Sequence, residues 1–177
     1  MNDNMINDTN QYLTFKLAEE VFALDITKVR EVLEYTVVTK VPQTPAFMRG
    51  VINLRGGVVP VVDMRLKFGM EQTENTVNTC VIISEILIDD ETTVLGALAD
   101  SVQEVIELEP GQIEPPPRMG TRLKTEFIKG MGKRDGEFII ILDIDKVFSV
   151  EEVERIQGGN PAMISKPETV QEQRVGV

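Results

Sequence analysis

Five residues recur at one fixed offset. Phe47, Gly50, Gly56, Asp63 and Phe68 return 80 positions later as Phe127, Gly130, Gly136, Asp143 and Phe148. Each set reads F-x-[RK]-G, then a hairpin glycine, then an apolar strand that ends in D-x4-F. Upstream, Val29, Glu31 and Val32 match Val102, Glu104 and Val105 at an offset of 73, and the longer Pro-rich connector of the second half absorbs the difference. Five matches at one offset make chance the weaker reading. Two copies of about 75 residues, each with about five short strands, predict a mostly β chain of two paired small barrels. Units of that size bury little core alone, so they should share an interface, and a groove beside it would be a natural docking place.

The local pattern agrees. Residues 12–17 alternate apolar and polar at period two, as a half-buried strand does, and 21–24 follow closely enough to close a hairpin. Further strands are predicted over 37–41, 50–54, 58–62, 79–87, 93–99, 102–108, 128–133 and 137–142, punctuated by Pro42, Pro45 and Gly56-Gly57. Arg134-Asp135-Gly136 is a hairpin turn, with glycine where a positive φ is easiest. Helical signals are brief. Asp25, Asp63 and Asp143 each end a strand at an expected N-cap position. Val29, Val32 and Leu33 sit at helical spacing, which turns Glu31 the other way, toward a partner. A short amphipathic C-terminal helix is expected from Val150, Val153 and Ile156. The folded part is placed at 11–157, with disordered tails over 1–10 and 158–177.

Composition narrows the chemistry. The chain has 177 residues, one cysteine (Cys80), no histidine, no tryptophan and nine aromatics. A single cysteine allows no internal disulfide and fits a reducing cytoplasm. The absence of histidine removes the commonest general base and transition-metal ligand. Few aromatics argue against a stacking platform for nucleic acid. No apolar stretch is long enough to span a bilayer, and the polar start predicts no secretory leader. The net charge of −11 disfavours duplex DNA and anionic membrane. That charge is segregated: residues 37–67 carry +4, 68–117 hold eleven acids and no base, and 118–134 return to +5. Either solvated strands and loops happen to segregate, or basic and acidic faces orient the chain between different partners.

The motifs that could carry chemistry each have a plain structural reading. Residues 53–57 (NLRGG) lack the phosphate-loop spacing and fit a hairpin turn, while a guanidinium fixed there is also a fork for a partner's carboxylate. Asp63 and Asp143 occupy equivalent positions, and capping explains both without an acid/base pair. Asp89-Asp90-Glu91 lacks a calcium-loop ladder and reads as a solvated hairpin tip. Cys80 reads as an inert packed thiol. No catalytic residue, metal site or cofactor is predicted.

Residues 47–63 (FMRGVINLRGGVVPVVD) closely resemble the signature stretch of the CheW chemotaxis adaptor family, as do 22–31 (FALDITKVRE) and 95–102 (LGALADSV). The likeness runs from about Gln11 to Arg155. It departs where Met64 stands in place of a more familiar leucine, and residues after Asn160 have no counterpart. The resemblance implies two SH3-like five-stranded barrels around a common core, in agreement with the duplication. It further implies a cytoplasmic, non-enzymatic scaffold at receptor arrays. Such a scaffold links the cytoplasmic tips of chemoreceptors to the histidine kinase CheA through the kinase's regulatory domain. By that resemblance the receptor-facing groove maps onto Val29, Glu31, Gly50, Arg55 and Val81, with Gly50 admitting a receptor helix at close range. The kinase-facing surface would include Leu13 and Ile26. The alternative is the same domain of a CheV-type adaptor truncated before its receiver. A carboxylate-based hydrolase lacks convergent acids, and a Pro-rich-peptide binder lacks an aromatic groove.

Overall fold

Alternation in the first described segment builds a hairpin that the rest of the chain then repeats. A computed structural model describes residues 10–116 and 124–157. β1 (Asn10–Leu17) turns at Ala18, where φ is 58°, into β2 (Glu20–Asp25). A three-residue 3-10 turn at Ile26–Lys28, capped by the Asp25 carboxylate on the Thr27 amide at 2.9 Å, leads into β3 (Val29–Glu34). β4 (Met48–Leu54) and β5 (Gly57–Asp63) follow, then α1 (Met64–Lys67). The second copy supplies β6 (Cys80–Ile88), β7 (Glu91–Ala99), β8 (Ser101–Leu108), the short β9 (Ile113–Glu114), β10 (Ile128–Arg134) and β11 (Glu137–Leu142). It closes with α2 (Ile144–Val147) and α3 (Val150–Ile156). Ser149 and Glu152 form a capping box at the start of α3.

Three hairpins close on two-residue turns with both residues at positive φ: Arg55-Gly56 (50° and 86°), Asp89-Asp90 (52° and 66°) and Asp135-Gly136 (54° and 81°). That geometry matches the right-handed twist of the flanking strands.

The two sheets do not follow the two sequence copies. One has the order β3-β6-β7-β5-β4, the other β8-β1-β2-β11-β10-β9. Corresponding registers show the exchange. Ser84 of β6 lies opposite Val29 of β3, as Phe15 of β1 lies opposite Val102 of β8. Gly96 of β7 runs parallel beside Val61, as Ala23 of β2 runs beside Ile141. The first hairpin of each copy is therefore built into the barrel of the other copy. We call the β3–β7 sheet barrel 1 and the sheet that holds β1 and β2 barrel 2.

Each barrel is closed by the chain leaving its first edge strand. After β3, Thr39 exchanges two backbone hydrogen bonds with Val51 of β4, at 2.9 and 2.8 Å. In barrel 2, Ile113 and Glu114 pair with Gly132 and Met131 in the same way. Val81, Ile83, Ile52, Val59, Val61 and Leu98 fill barrel 1, and Tyr12, Ala23, Ile106, Leu108, Ile139 and Ile141 fill barrel 2. A larger cluster lies between the barrels. There Phe15, Phe22, Phe68 and Phe127 contact in series with centroids 5.9–6.0 Å apart, and Phe47 meets Phe148 at 5.6 Å, the repeat counterpart of the Phe127–Phe68 contact. The repeated phenylalanines thus form the shared interface that the duplication predicts.

Three local expectations are corrected. Residues 29–34 form strand β3, and a bulge between Val29 and Glu31 creates the apolar spacing that mimics a helix. Glu31 therefore shares a side with Leu33, while the bulge puts Val29 on the side of Val32. Residues 37–41 contribute only the Thr39 bridge, and Val37 is solvent-exposed. Asp143 makes no side-chain capping bond, whereas Asp63 caps α1 through the Arg65 amide at 3.1 Å. The proposed tails fall on residues 1–9 and 158–177, outside the described residues, and Asn10 already begins β1.

Candidate functional site

The Arg55 turn fixes a guanidinium at one end of barrel 1. The Asn53 side chain accepts a hydrogen bond from the Gly56 amide at 3.1 Å, which stiffens the turn. Curling of the sheet brings this turn to β3, and Arg55 forks onto both oxygens of Glu31, with Nη1 to Oε1 at 3.4 Å and Nη2 to Oε2 closer. The hydrogen bond from Arg55 holds the Glu31 carboxyl below its ordinary range, and the same contact pushes the Arg55 guanidinium up. The sequence leaves both groups available to a partner. The structure engages them with each other, so a partner carboxylate must share or displace Glu31.

The remaining receptor-facing candidates separate. Val29 is half-buried at the start of β3 and packs against the inter-barrel core. Val81 has no exposed surface and lies inside barrel 1, where a side chain on Gly96 would collide with it. Gly50 is buried too. A Cβ there would stand 2.1 Å from the carbonyl oxygen of Thr39, and its φ is +143°. Its missing side chain makes room for the chain's own closing segment. Gly130 has the equivalent place under β9, where a Cβ would meet Ile113 at 2.7 Å. Of the kinase-facing candidates, Leu13 is buried in the inter-barrel core, and half-buried Ile26 packs on that core from the turn between barrels.

A second face was missed. Glu104 of β8, the repeat partner of Glu31, pairs with Arg134, the last residue of β10 and one position before the counterpart of Arg55, at 3.4 Å. Exposed apolar side chains also recur at positions related by the offsets of 73 and 80. Barrel 1 shows Val32 (39% exposed) and Val58 (54%), and barrel 2 shows Val105 (48%) and Phe138 (52%). The offsets of 73 and 80 carried this signal in the sequence.

The other chemical candidates are structural. Asp63 is fully buried and accepts from the Thr73 amide (2.9 Å) and hydroxyl (2.8 Å), from Arg49 Nη1 (3.1 Å) and from the Arg65 amide. Its acceptor capacity is spent on tying the loop after α1 to the barrel, which leaves none for proton transfer. Asp89 and Asp90 form a hairpin tip. Half-buried Cys80 points its thiol at the Asn78 carbonyl at 3.3 Å. Among the described residues, no three acidic or sulfur ligands gather to hold a metal, and no helix is long and apolar enough to cross a membrane.

Comparison with known proteins agrees with this architecture. Residues 11–152 match the model of the CheW-like domain. The chemotaxis protein CheW of Klebsiella aerogenes is 37% identical over 143 residues, covering 81% of this chain and 84% of that protein. The CheW of Rhizobium meliloti is 31% identical over 151 residues, covering 85% and 95%. The crystal structure of the scaffolding protein TtCheW from Thermoanaerobacter tengcongensis superposes with a TM-score of 0.72 at 38% identity, covering 81% of this chain and 94% of that one.

Proposed function

Because this chain belongs to the CheW-like domain family and is a chemotaxis adaptor of that scaffold type, we propose that it joins chemoreceptor cytoplasmic tips to the CheA regulatory domain. It does so by binding alone, without turnover, metal or cofactor, in the cytoplasm at the receptor array. What supports this reading is that each barrel carries an exposed ion pair and two exposed apolar side chains, since an adaptor must hold two partners at once. Barrel 1 presents the receptor face through Val29, Glu31, Arg55, Val32 and Val58, while Gly50 and Val81 shape it from beneath. Barrel 2 presents the kinase face through Val105 and Phe138, with Leu13 supporting and Ile26 bordering it. Buried apolar anchors ringed by an ion pair supply affinity at the centre and orientation at the rim.

Two variants test the assignment. Arg55→Ala should weaken binding of a receptor cytoplasmic fragment and leave the CheA regulatory domain bound, and Phe138→Ser should do the reverse, both measured by calorimetric titration. If each variant weakens both partners equally while remaining folded, the division into two faces is wrong.

A further inference from the structure

Two ion-pair clamps join the barrels at repeat-equivalent places, with their charges reversed. In the first, Arg65 of α1 pairs with Asp100, in the connector after β7, at 3.3 Å. The Asp100 carboxylate also accepts from the Ala18 amide, in the β1–β2 turn of the other barrel, at 2.6 Å. In the second, Asp145 of α2 pairs with Lys28, in the connector after β2, at 2.7 Å. The Asp145 carboxylate accepts from the Leu87 amide, near the β6–β7 turn of the other barrel, at 2.7 Å. Positions 65 and 145 differ by the repeat offset of 80, Ala18 just after β1 corresponds to Leu87 near the end of β6, and 28 and 100 stand one residue from the offset of 73. Both pairs are largely shielded from solvent, with side-chain exposures of 19–30%.

The polarity matters because the exchanged hairpins have a competitor. β1–β2 and β6–β7 are structurally equivalent, so either could sit beside either set of partner strands, within one chain or between two. Parallel pairing of β2 with β11 sets Lys28 beside Asp145, and pairing of β7 with β5 sets Arg65 beside Asp100. The opposite arrangement would pair β2 with β5 and β7 with β11. It would set Lys28 beside Arg65 and Asp100 beside Asp145, two like-charge contacts at partly buried positions. We propose that the reversed polarity of the clamps selects the exchanged hairpin pairing during folding and suppresses the alternative, including its intermolecular form.

Charge reversal of one clamp at a time tests this in the full chain. Arg65→Asp with Asp100→Arg preserves attraction within the native pairing, yet makes both alternative contacts attractive. Lys28→Asp with Asp145→Arg does the same from the other side. All four substitutions together restore both the native attractions and the alternative repulsions. After dilution from denaturant at equal chain concentration, monomer recovered by size exclusion should fall by about twofold or more in each double variant and return to the parental level in the quadruple variant. A double variant that never folds still supports the proposal if the quadruple variant, which contains it, folds. Parental monomer yields in both double variants, or a quadruple variant no better than either, would overturn it.

Discussion

Replacement of Gly50 by alanine tests the internal reason for that glycine. The new Cβ would lie 2.1 Å from the Thr39 oxygen and 2.8 Å from Val38, and the backbone would keep a φ of +143° that L side chains resist. Holding that conformation costs about 1–3 kcal/mol. The closing segment must also move aside, so the two Thr39–Val51 hydrogen bonds are lost, at about 1 kcal/mol each. The sum is about 3–5 kcal/mol, a large share of the stability of an ordinary domain. With a urea slope of about 2 kcal/mol/M, the unfolding midpoint should fall by about 2 M. Gly130→Ala is the internal comparison. Its Cβ meets the movable Ile113 side chain at 2.7 Å and the Glu114 carbonyl at 3.2 Å, without a left-handed φ. It should cost about 1–2 kcal/mol. A Gly50→Ala chain within about 1 kcal/mol of the parent that nonetheless loses the receptor fragment would refute the reasoning and return Gly50 to a partner-clearance role.

Other perturbations have equally definite outcomes. Arg55→Ala should leave the thermal midpoint unchanged, because the pair is exposed, and should raise the Glu31 titration seen by NMR toward its ordinary 4.5. Since Arg55 lowers the folded carboxyl's pKa, the pair's contribution is present above that ordinary value and is lost as pH falls through the lowered one. An Arg55→Ala chain in which Glu31 titrates where it did before would contradict the pairing. Asp63→Asn should cost about 2–4 kcal/mol in thermal unfolding by leaving Arg49 without its buried partner. Asp143→Asn should stay within about 0.5 kcal/mol, because the Asp143 side chain caps nothing. Equal losses at the two positions would contradict the distinction.

The strands, the glycine turns and the duplication were legible because period-two alternation and Gly56 or Gly136 act over a few neighbouring residues. β3 was not, since its bulge spaces Val29, Val32 and Leu33 as a helix would. The hairpin exchange was hidden for a different reason. β1 and β6 have interchangeable patterns, and only long-range pairing assigns each to a barrel. Glu31 and Arg55 were recognisable singly, while their contact depends on closure of barrel 1. Val81 and Gly50 were read as surface because a motif records which residues matter and not whether they face solvent or core. Val105 and Phe138 could have been found by carrying the offsets through to the exposed positions.

The central claim is simultaneous engagement of two partners on separate barrels. Titration of a chemoreceptor cytoplasmic fragment into this chain already saturated with the CheA regulatory domain tests it most directly. A 1:1:1 complex should form in which the kinase domain remains bound. Displacement of the kinase domain by the receptor fragment, at a shared site, would contradict it.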